Sequence, residues 1–379
     1  MSDSATKSFG SEAQAASLPP LTAGLDVGDR HSTMCFIDAA GETVERTRVR
    51  TTSEALRGAF GHRAPLRIAL EVGTHSRWIR RLLVELGHEV FVANPRRVRA
   101  IYESDTKTDS SDAEMLARLA RVDPKLLCPV RHRREDRARA LAVVRSRDGL
   151  VRARTLLINH VRGAIKPVGG RVKHCSSESF ARQAPEQIPA ELQAVLQPVI
   201  EQIGHLTRTV REFDRQIEQL CEQFPDAQRL REIPSVGPVT ALTFVLTVDD
   251  PARFQNARMI GPYLGLCPRR KQSGRDDPQL GITKAGDSYL RKLVVTCAQH
   301  TLGPFGKDSA LRRWGLQRAG SGDRIAKKKA VVGVARRLTV VMLHLWVSGE
   351  TYRPFPTPAP PARPPSPEKT VEKKEKKAA

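Results

Sequence analysis

Two short turns constrain the front of this 379-residue chain more than any other feature. Gly28-Asp29 and Ala40-Gly41 divide three runs of strand-forming residues, Leu21–Val27, His31–Asp38 and Glu42–Arg50. Links this short cannot carry a chain across a sheet to a parallel position, so the three runs read as antiparallel strands joined by hairpins. The element order then changes. Ser53–Phe60 predicts a short helix, Leu66–Glu71 a strand, Thr74–Leu86 a helix and Glu89–Ala93 a last strand ending at Asn94-Pro95. A further helix begins near Asp109, with Met115, Leu116 and Leu119 on its apolar side. Hairpin strands followed by alternating helices and strands build a mixed α/β sheet.

That element order resembles the RNase H fold in its RuvC-like form, over residues 21–133. Acidic residues recur at informative places within it: Asp26 in GLDVG, Glu71 in RIALEVG, and the pair Asp109/Asp112 in KTDSSDAEML. Asp26 sits inside an apolar strand, where a charge needs a partner. Glu71 ends the fourth strand, a neighbour of the first in such a sheet. Asp109 and Asp112 stand three apart at a helix start and project from one face. Carboxylates brought together repel unless cations lie between them. Oxygen donors of this kind select Mg²⁺ or Mn²⁺ over zinc, and two such ions can activate an oxygen nucleophile and stabilise a leaving oxygen in phosphodiester chemistry. Each acid also has a plainer reading: Asp109 as a helix N-cap, Asp112 as a favourable charge near the helix dipole, Glu71 as a strand-end surface residue.

Charge narrows the partners. The net charge is +22, from 63 Lys plus Arg against 41 Asp plus Glu, which attracts nucleic acid without regard to its sequence. Six scattered cysteines form no C-x-x-C pair, so neither a zinc ribbon nor a disulfide framework is expected. The N-terminus has no apolar signal core. The late apolar stretch from Val331 to Val347 is broken by Arg336 and Arg337, so no membrane span is expected there. The expected location is the cytoplasm, in association with the nucleoid.

Beyond the sheet the pattern is helical. Val144, Val151, Ile158 and Ile165 repeat every seven residues. More cleanly, Leu192, Val199, Leu206, Phe213 and Leu220 form one seven-residue series, and Leu196, Ile203, Val210 and Ile217 a second. Such a pattern predicts a coiled-coil seam of roughly 40 Å, begun or kinked at Pro198. It serves equally as a dimer seam or as a helical hairpin with the preceding segment. The expected divisions are a disordered leader at 1–20, the sheet domain at 21–133, helical coiled-coil segments at 134–230, a mostly helical C-terminal domain at 231–350, and a disordered Pro-rich and charged tail at 351–379.

In the C-terminal domain, LREIPSVGPVTA resembles a helix-hairpin-helix whose second helix opens toward a phosphate, with Ser235 where many such hairpins have glycine. A plain helix–turn–helix packing element explains it nearly as well. Next, Arg269, Arg270 and Lys271 precede Ser273-Gly274, and Gly281-Ile282-Thr283-Lys284 leads to a helix carrying Arg291. Arg269, Arg270, Lys271, Lys284 and Arg291 are the candidate phosphate contacts. A serine hydroxyl needs a base or a metal to become a nucleophile, and on chemistry alone Ser273 reads as an ordinary loop serine.

Taken together, GLDVG, ALEVGTHSRW, NPRRV, KTDSSDAEMLARL, IPSVGPVTA, YLGLCPRRKQSG and GITKAGDSYLRKLV resemble the insertion-sequence-110 family of transposases over about residues 21–350. The resemblance implies a DEDD site made of Asp26, Glu71, Asp109 and Asp112, with Ser273 as a catalytic serine in the C-terminal domain. It further implies a recombinase that moves its element through a circular intermediate, forms a DNA–phosphoserine link, and is guided by a bridge RNA that pairs with donor and target DNA. Assembly as a homo-oligomer, a dimer and then a tetramer on DNA, is also implied. Two alternatives stand beside it: a RuvC-like metal-dependent nuclease using water, and a non-catalytic nucleic-acid-binding regulator.

Overall fold

The computed structural model describes residues 21–95, 98, 108–270, 280–320 and 322–355. The leader at 1–20 and the tail beyond 355 lie outside the described residues. The chain divides into two compact units between His132 and Arg133.

The first unit is built on five strands: β1 (Leu21–Val27), β2 (His31–Asp38), β3 (Thr43–Arg50), β4 (Arg67–Glu71) and β5 (Glu89–Ala93). Their order in the sheet is β3-β2-β1-β4-β5. The hairpin strands pair antiparallel, as their short links require, whereas β1–β4 and β4–β5 are parallel. Helices α1 (Ser53–Phe60) and α2 (Ser76–Glu85) cover one face. There Leu25, Met34, Phe36, Ile68 and Leu70 pack against Leu56, Phe60, Ile79 and Leu83, all fully buried. Each such side chain contributes about 1.5–3 kcal/mol of burial free energy.

The opposite face is lined differently. It carries Gly24, Cys35, Ile37, Ala69 and Ala93, and it receives α3 (Asp109–Val122) through Ala113, Leu116, Ala117 and Ala120. Small residues on both sides bring the helix backbone close to the sheet. Arginines fix it there: Arg46 pairs with Glu114 at 2.5 Å, Glu114 accepts from Arg118 at 2.9 Å, and Arg118 and Arg121 donate to the carbonyls of Gly41 and Ala39 in the β2–β3 turn.

The second unit is helical: α4 (Glu135–Ala164), α5 (Ala190–Glu222), α6 (Pro225–Leu230), α7 (Pro238–Val248), α8 (Ser288–Leu302), α9 (Ala310–Ala319) and α10 (Arg324–Ser348). α4 and α5 run antiparallel, as the Arg147–Asp214 pair at 2.5 Å and the Arg154–Thr207 hydrogen bond at 3.3 Å require. The seven-residue pattern is thus used within the chain. Leu196, Ile203, Val210 and Ile217 are buried together with Ile200, Thr207 and Cys221, whereas Leu192, Val199, Phe213 and Leu220 are only half-buried. Pro198 lies inside α5 rather than at its start.

The base of this hairpin and the C-terminal helices share one core. Leu141, Val144, Ile217 and Cys221 pack with Leu230, Phe244, Leu290, Leu338 and Met342. α7 is buried on all sides, as its apolar sequence demands. By length and composition α10 is apolar enough to cross a membrane, but Val334, Ala335, Leu338, Met342 and Leu345 turn its apolar side into this core. Residues 351–355, expected to belong to a disordered tail, are held by contacts to the helical unit. Tyr352 packs against the core and its N–H donates to Glu232 Oε2 at 3.3 Å, Pro354 O accepts from Ala310 N at 2.9 Å, and Arg313 lies 4.7 Å over the Phe355 ring. These contacts give residues 351–355 the partners that a disordered chain lacks.

Candidate catalytic face and serine loop

Strand register decides where the acids stand. Leu25 pairs with Leu70 across β1 and β4, and Glu71 pairs with Ala93 on β5. One step beyond Leu25–Leu70, Asp26 and Glu71 therefore lie side by side at the C-terminal ends of two parallel strands. Because side chains alternate along a strand, Asp26 shares the face of Gly24, and Glu71 that of Ala69. Both belong to the α3 face. Asp26 is also opposite Thr33 on β2, which is opposite Arg48 on β3. One ladder thus runs Arg48, Thr33, Asp26, Glu71. Both acids are half-buried.

Helix α3 brings the other two. Its N-cap is Thr108, not Asp109: Thr108 Oγ1 accepts from Ser111 N at 3.2 Å, and Ser111 Oγ accepts from Thr108 N at 3.1 Å. This reciprocal cap makes Thr108 the N-cap and places Asp109 and Asp112 in the first turn. Asp112 directly precedes Ala113, whose carbonyl lies over Gly24, two residues before Asp26. The first turn of α3 is thereby held at the end of the sheet face that carries Asp26 and Glu71. Binding sites of α/β sheets commonly lie beyond the carboxyl ends of strands.

The donor chemistry fits a hard divalent cation: four carboxylates and no sulfur or imidazole in the set. Among the described residues, no three His, Cys, Asp or Glu side chains are drawn close enough to hold an ion. Asp26 and Glu71 share one face at the strand ends, and the first turn of α3 lies at that end of the sheet, without a closed cage.

Ser273 and Lys271 lie outside the described residues, but both flanks of their segment are described. Pro268 forms a β-bridge with Ile282, Arg269 N donates to Gly281 O at 2.9 Å, and Thr283 N donates to Cys267 O at 2.9 Å. The segment is therefore closed at its base. Two glycines make this closure possible. Gly265 (φ +67°) and Gly286 (φ +67°) sit where any Cβ would collide with the backbone of Ala285 and Tyr263 respectively. Arg145 donates to Asp287, whose other oxygen caps Leu290 N at 2.8 Å and starts α8.

Arg269, Arg270 and Lys284 are exposed. Arg291, expected as a phosphate contact, donates from Nη1 to the carbonyls of Leu264 at 3.1 Å and Ala285 at 2.6 Å and so ties the loop base together. The helical unit also contains two buried thiols. Burial pushes Cys221 up to about 11 and also raises Cys297, so neither offers a thiolate at neutral pH.

Sequence reasoning missed Thr108, Gly24 and Arg46. The first was readable from Thr108-x-x-Ser111 ahead of an apolar helix. The other two act through residues distant in sequence and left no local signal.

Comparison with known proteins places these features. Residues 23–168 match a DEDD transposase domain of the IS110 type, and residues 227–311 match the "Transposase IS116/IS110/IS902 family". A "Probable family 20 transposase" of Pseudomonas aeruginosa is 28% identical over 339 residues, covering 87% of this chain and 98% of that protein. The "Transposase for insertion sequence element IS1111A" of Coxiella burnetii is 25% identical, covering 87% of this chain and 90% of its own length. A "Pilin gene-inverting protein" of Moraxella lacunata is 26% identical, covering 67% of this chain and 71% of that protein.

Proposed function

Since the chain belongs to the IS110 family of transposases, enzymes that cut and rejoin DNA, we propose that it does so with Asp26, Glu71, Asp109, Asp112 and Ser273. On this reading the first unit is an RNase H-like, RuvC-like domain, which the β3-β2-β1-β4-β5 order supports. The observation that carries the reading is the shared face of Asp26 and Glu71 beneath the capped end of α3.

The four carboxylates would hold Mg²⁺ or Mn²⁺, which lowers the pKa of a bound hydroxyl and neutralises charge on a phosphoryl group. Ser273 Oγ attacks a DNA phosphorus atom. The Oγ–P bond forms, the bond to a deoxyribose oxygen breaks, and the proton lost by serine ends on that oxygen. One phosphodiester replaces another, so a free DNA hydroxyl can reverse the step on a new strand without an outside energy source. A reaction that conserves the bond suits strand exchange, and inversion of a DNA segment, the activity named for the Moraxella relative, demands the same conservation.

Arg269, Arg270 and Lys284 hold the DNA backbone near the serine, and Lys271 extends that run. Donor and target DNA are selected by pairing with a bridge RNA, and the chain works as a homo-oligomer, a dimer that becomes a tetramer on DNA. It acts in the cytoplasm, at the nucleoid. Asp26→Asn and Glu71→Gln test the site: both should abolish cutting while DNA binding persists. Normal cutting by either variant would remove the carboxylates from the chemistry.

A further inference from the structure

A second cleft in the helical unit is built from residues that the transposition chemistry does not use. It lies between the turn ahead of α7 and the C-terminal end of α8, holds about 560 Å³, and is lined by Ser235, Thr240, Cys297, His300, Phe305 and Lys307. That volume falls in the range of small-ligand sites.

Three observations give the cleft its chemistry. Ser235 occupies the left-handed region (φ +78°), where a side chain other than glycine is strained, and its hydroxyl is held at 3.1 Å by both His300 Nδ1 and Thr301 Oγ1. Thr301 Oγ1 also reaches the Cys297 carbonyl at 2.9 Å, so Thr301, Ser235 and His300 form one chain of hydrogen bonds that ends on the imidazole. His300 is exposed.

Phe305 is the second. At 83% exposure it is the most exposed large apolar side chain among the described residues. Its turn is nevertheless fixed, because Arg312 Nη1 donates to the carbonyls of Thr301 and Gly303, the latter at 2.7 Å, and Gly306 N closes on Gly303 O at 3.2 Å. An aromatic ring held out to water on a pinned turn is a stacking platform rather than a packing residue.

Charge is the third. Lys307 is exposed and has no ion-pair partner among the described residues, Arg231 is paired with Glu218 at 2.5 Å, and Glu232, which also lines the cleft, accepts from the Tyr352 backbone N–H. Lys307 and the polar Ser235 and His300 side chains beside an exposed aromatic face match one unpaired nucleotide, with its phosphate on Lys307, His300 and Ser235 and its base on Phe305.

We propose that this cleft binds single-stranded nucleic acid, holding a phosphate in the cleft and an unstacked base on Phe305. The inference needs only that the chain handles nucleic acid, not that the acids and Ser273 perform the chemistry.

The test measures fluorescence anisotropy of the full chain with labelled oligo-dT, oligo-rU and a DNA duplex of equal length. Phe305→Ala should weaken single-strand binding about tenfold and leave the duplex within about twofold, with an unchanged melting temperature because the ring is exposed. Lys307→Gln should reduce the slope of log affinity against log salt by about 0.7 on single strands. Ser235→Gly keeps the backbone conformation, removes the hydroxyl, and should weaken single-strand binding several-fold. A loss confined to dT assigns the site to DNA and one confined to rU assigns it to RNA. Single-strand affinity unchanged in Phe305→Ala, or an equal loss on the duplex, overturns the proposal. Asp26→Asn should leave these affinities intact, which separates failure of this site from failure of the catalytic reading.

Discussion

The carbonyl of Ala113 in α3 lies directly against Gly24 of β1, where a Cβ would stand 1.8 Å from that oxygen and 2.6 Å from Ala117 N. This contact sets the distance between the sheet and the helix that carries Asp109 and Asp112. It makes a residue without chemistry of its own a determinant of the geometry of the proposed site.

Gly24→Ala therefore should act on geometry. Both obstacles are backbone atoms that cannot rotate away, so α3 must shift, at a cost of about 1–3 kcal/mol. Chemical denaturation should show that loss. DNA cutting should fall further than the folded fraction does, because the acids of α3 move off those of the sheet.

Thr108→Val removes the cap while keeping the bulk. About 1 kcal/mol of helix stability is lost, and the first turn of α3, with Asp109 and Asp112, frays. A titration of cutting rate against Mg²⁺ should then reach half-maximum at a higher concentration, with DNA affinity unchanged.

His88 predicts a pH dependence for the first unit. Burial holds its imidazole below the ordinary value of 6.5, opposed by its bond to the Phe60 carbonyl. Nδ1 accepts from Leu66 N at 3.2 Å, so a proton there would break that bond. The unfolded chain binds the proton more readily than the fold does. The stability is thus complete above pH 6.5 and is lost as the pH falls below it, with a slope of at most about 1.4 kcal/mol per pH unit. Melting temperatures between pH 7.5 and 5 should fall accordingly, and His88→Gln should flatten that part of the curve.

Arg291→Met keeps the stem and removes the donor that ties Leu264 O to Ala285 O. Leaving these carbonyls unpaired costs about 1–3 kcal/mol. Strand exchange should drop more than DNA affinity, since the base of the serine segment loosens while Arg269, Arg270 and Lys284 remain. A proportional loss of both would return Arg291 to the role of a phosphate contact.

How much of this was readable from residues alone depends on range. Gly28-Asp29 and Ala40-Gly41 determine the antiparallel strands, because that signal is local. The partnership of α4 with α5 was not readable from the heptads, since Leu196, Ile203, Val210 and Ile217 suit a second copy as well as a neighbouring helix. Ile200, Thr207 and Cys221, outside both series, complete the stripe that α4 covers. Tyr352 and Phe355 were hidden by their Pro-rich surroundings, although Glu232 and Arg313 hold them. The bonds of Arg291 to the Leu264 and Ala285 carbonyls leave no mark in the sequence, because any residue type supplies a backbone carbonyl.

The most direct measurement is trapping of the covalent intermediate. Denaturing electrophoresis of the protein with labelled DNA and Mg²⁺, followed by peptide mass spectrometry, should give an adduct on Ser273. The adduct should vanish in Ser273→Ala, in Asp26→Asn and on chelation of the metal. Strand exchange that persists in Ser273→Ala, or an adduct that maps to another residue, would contradict the account.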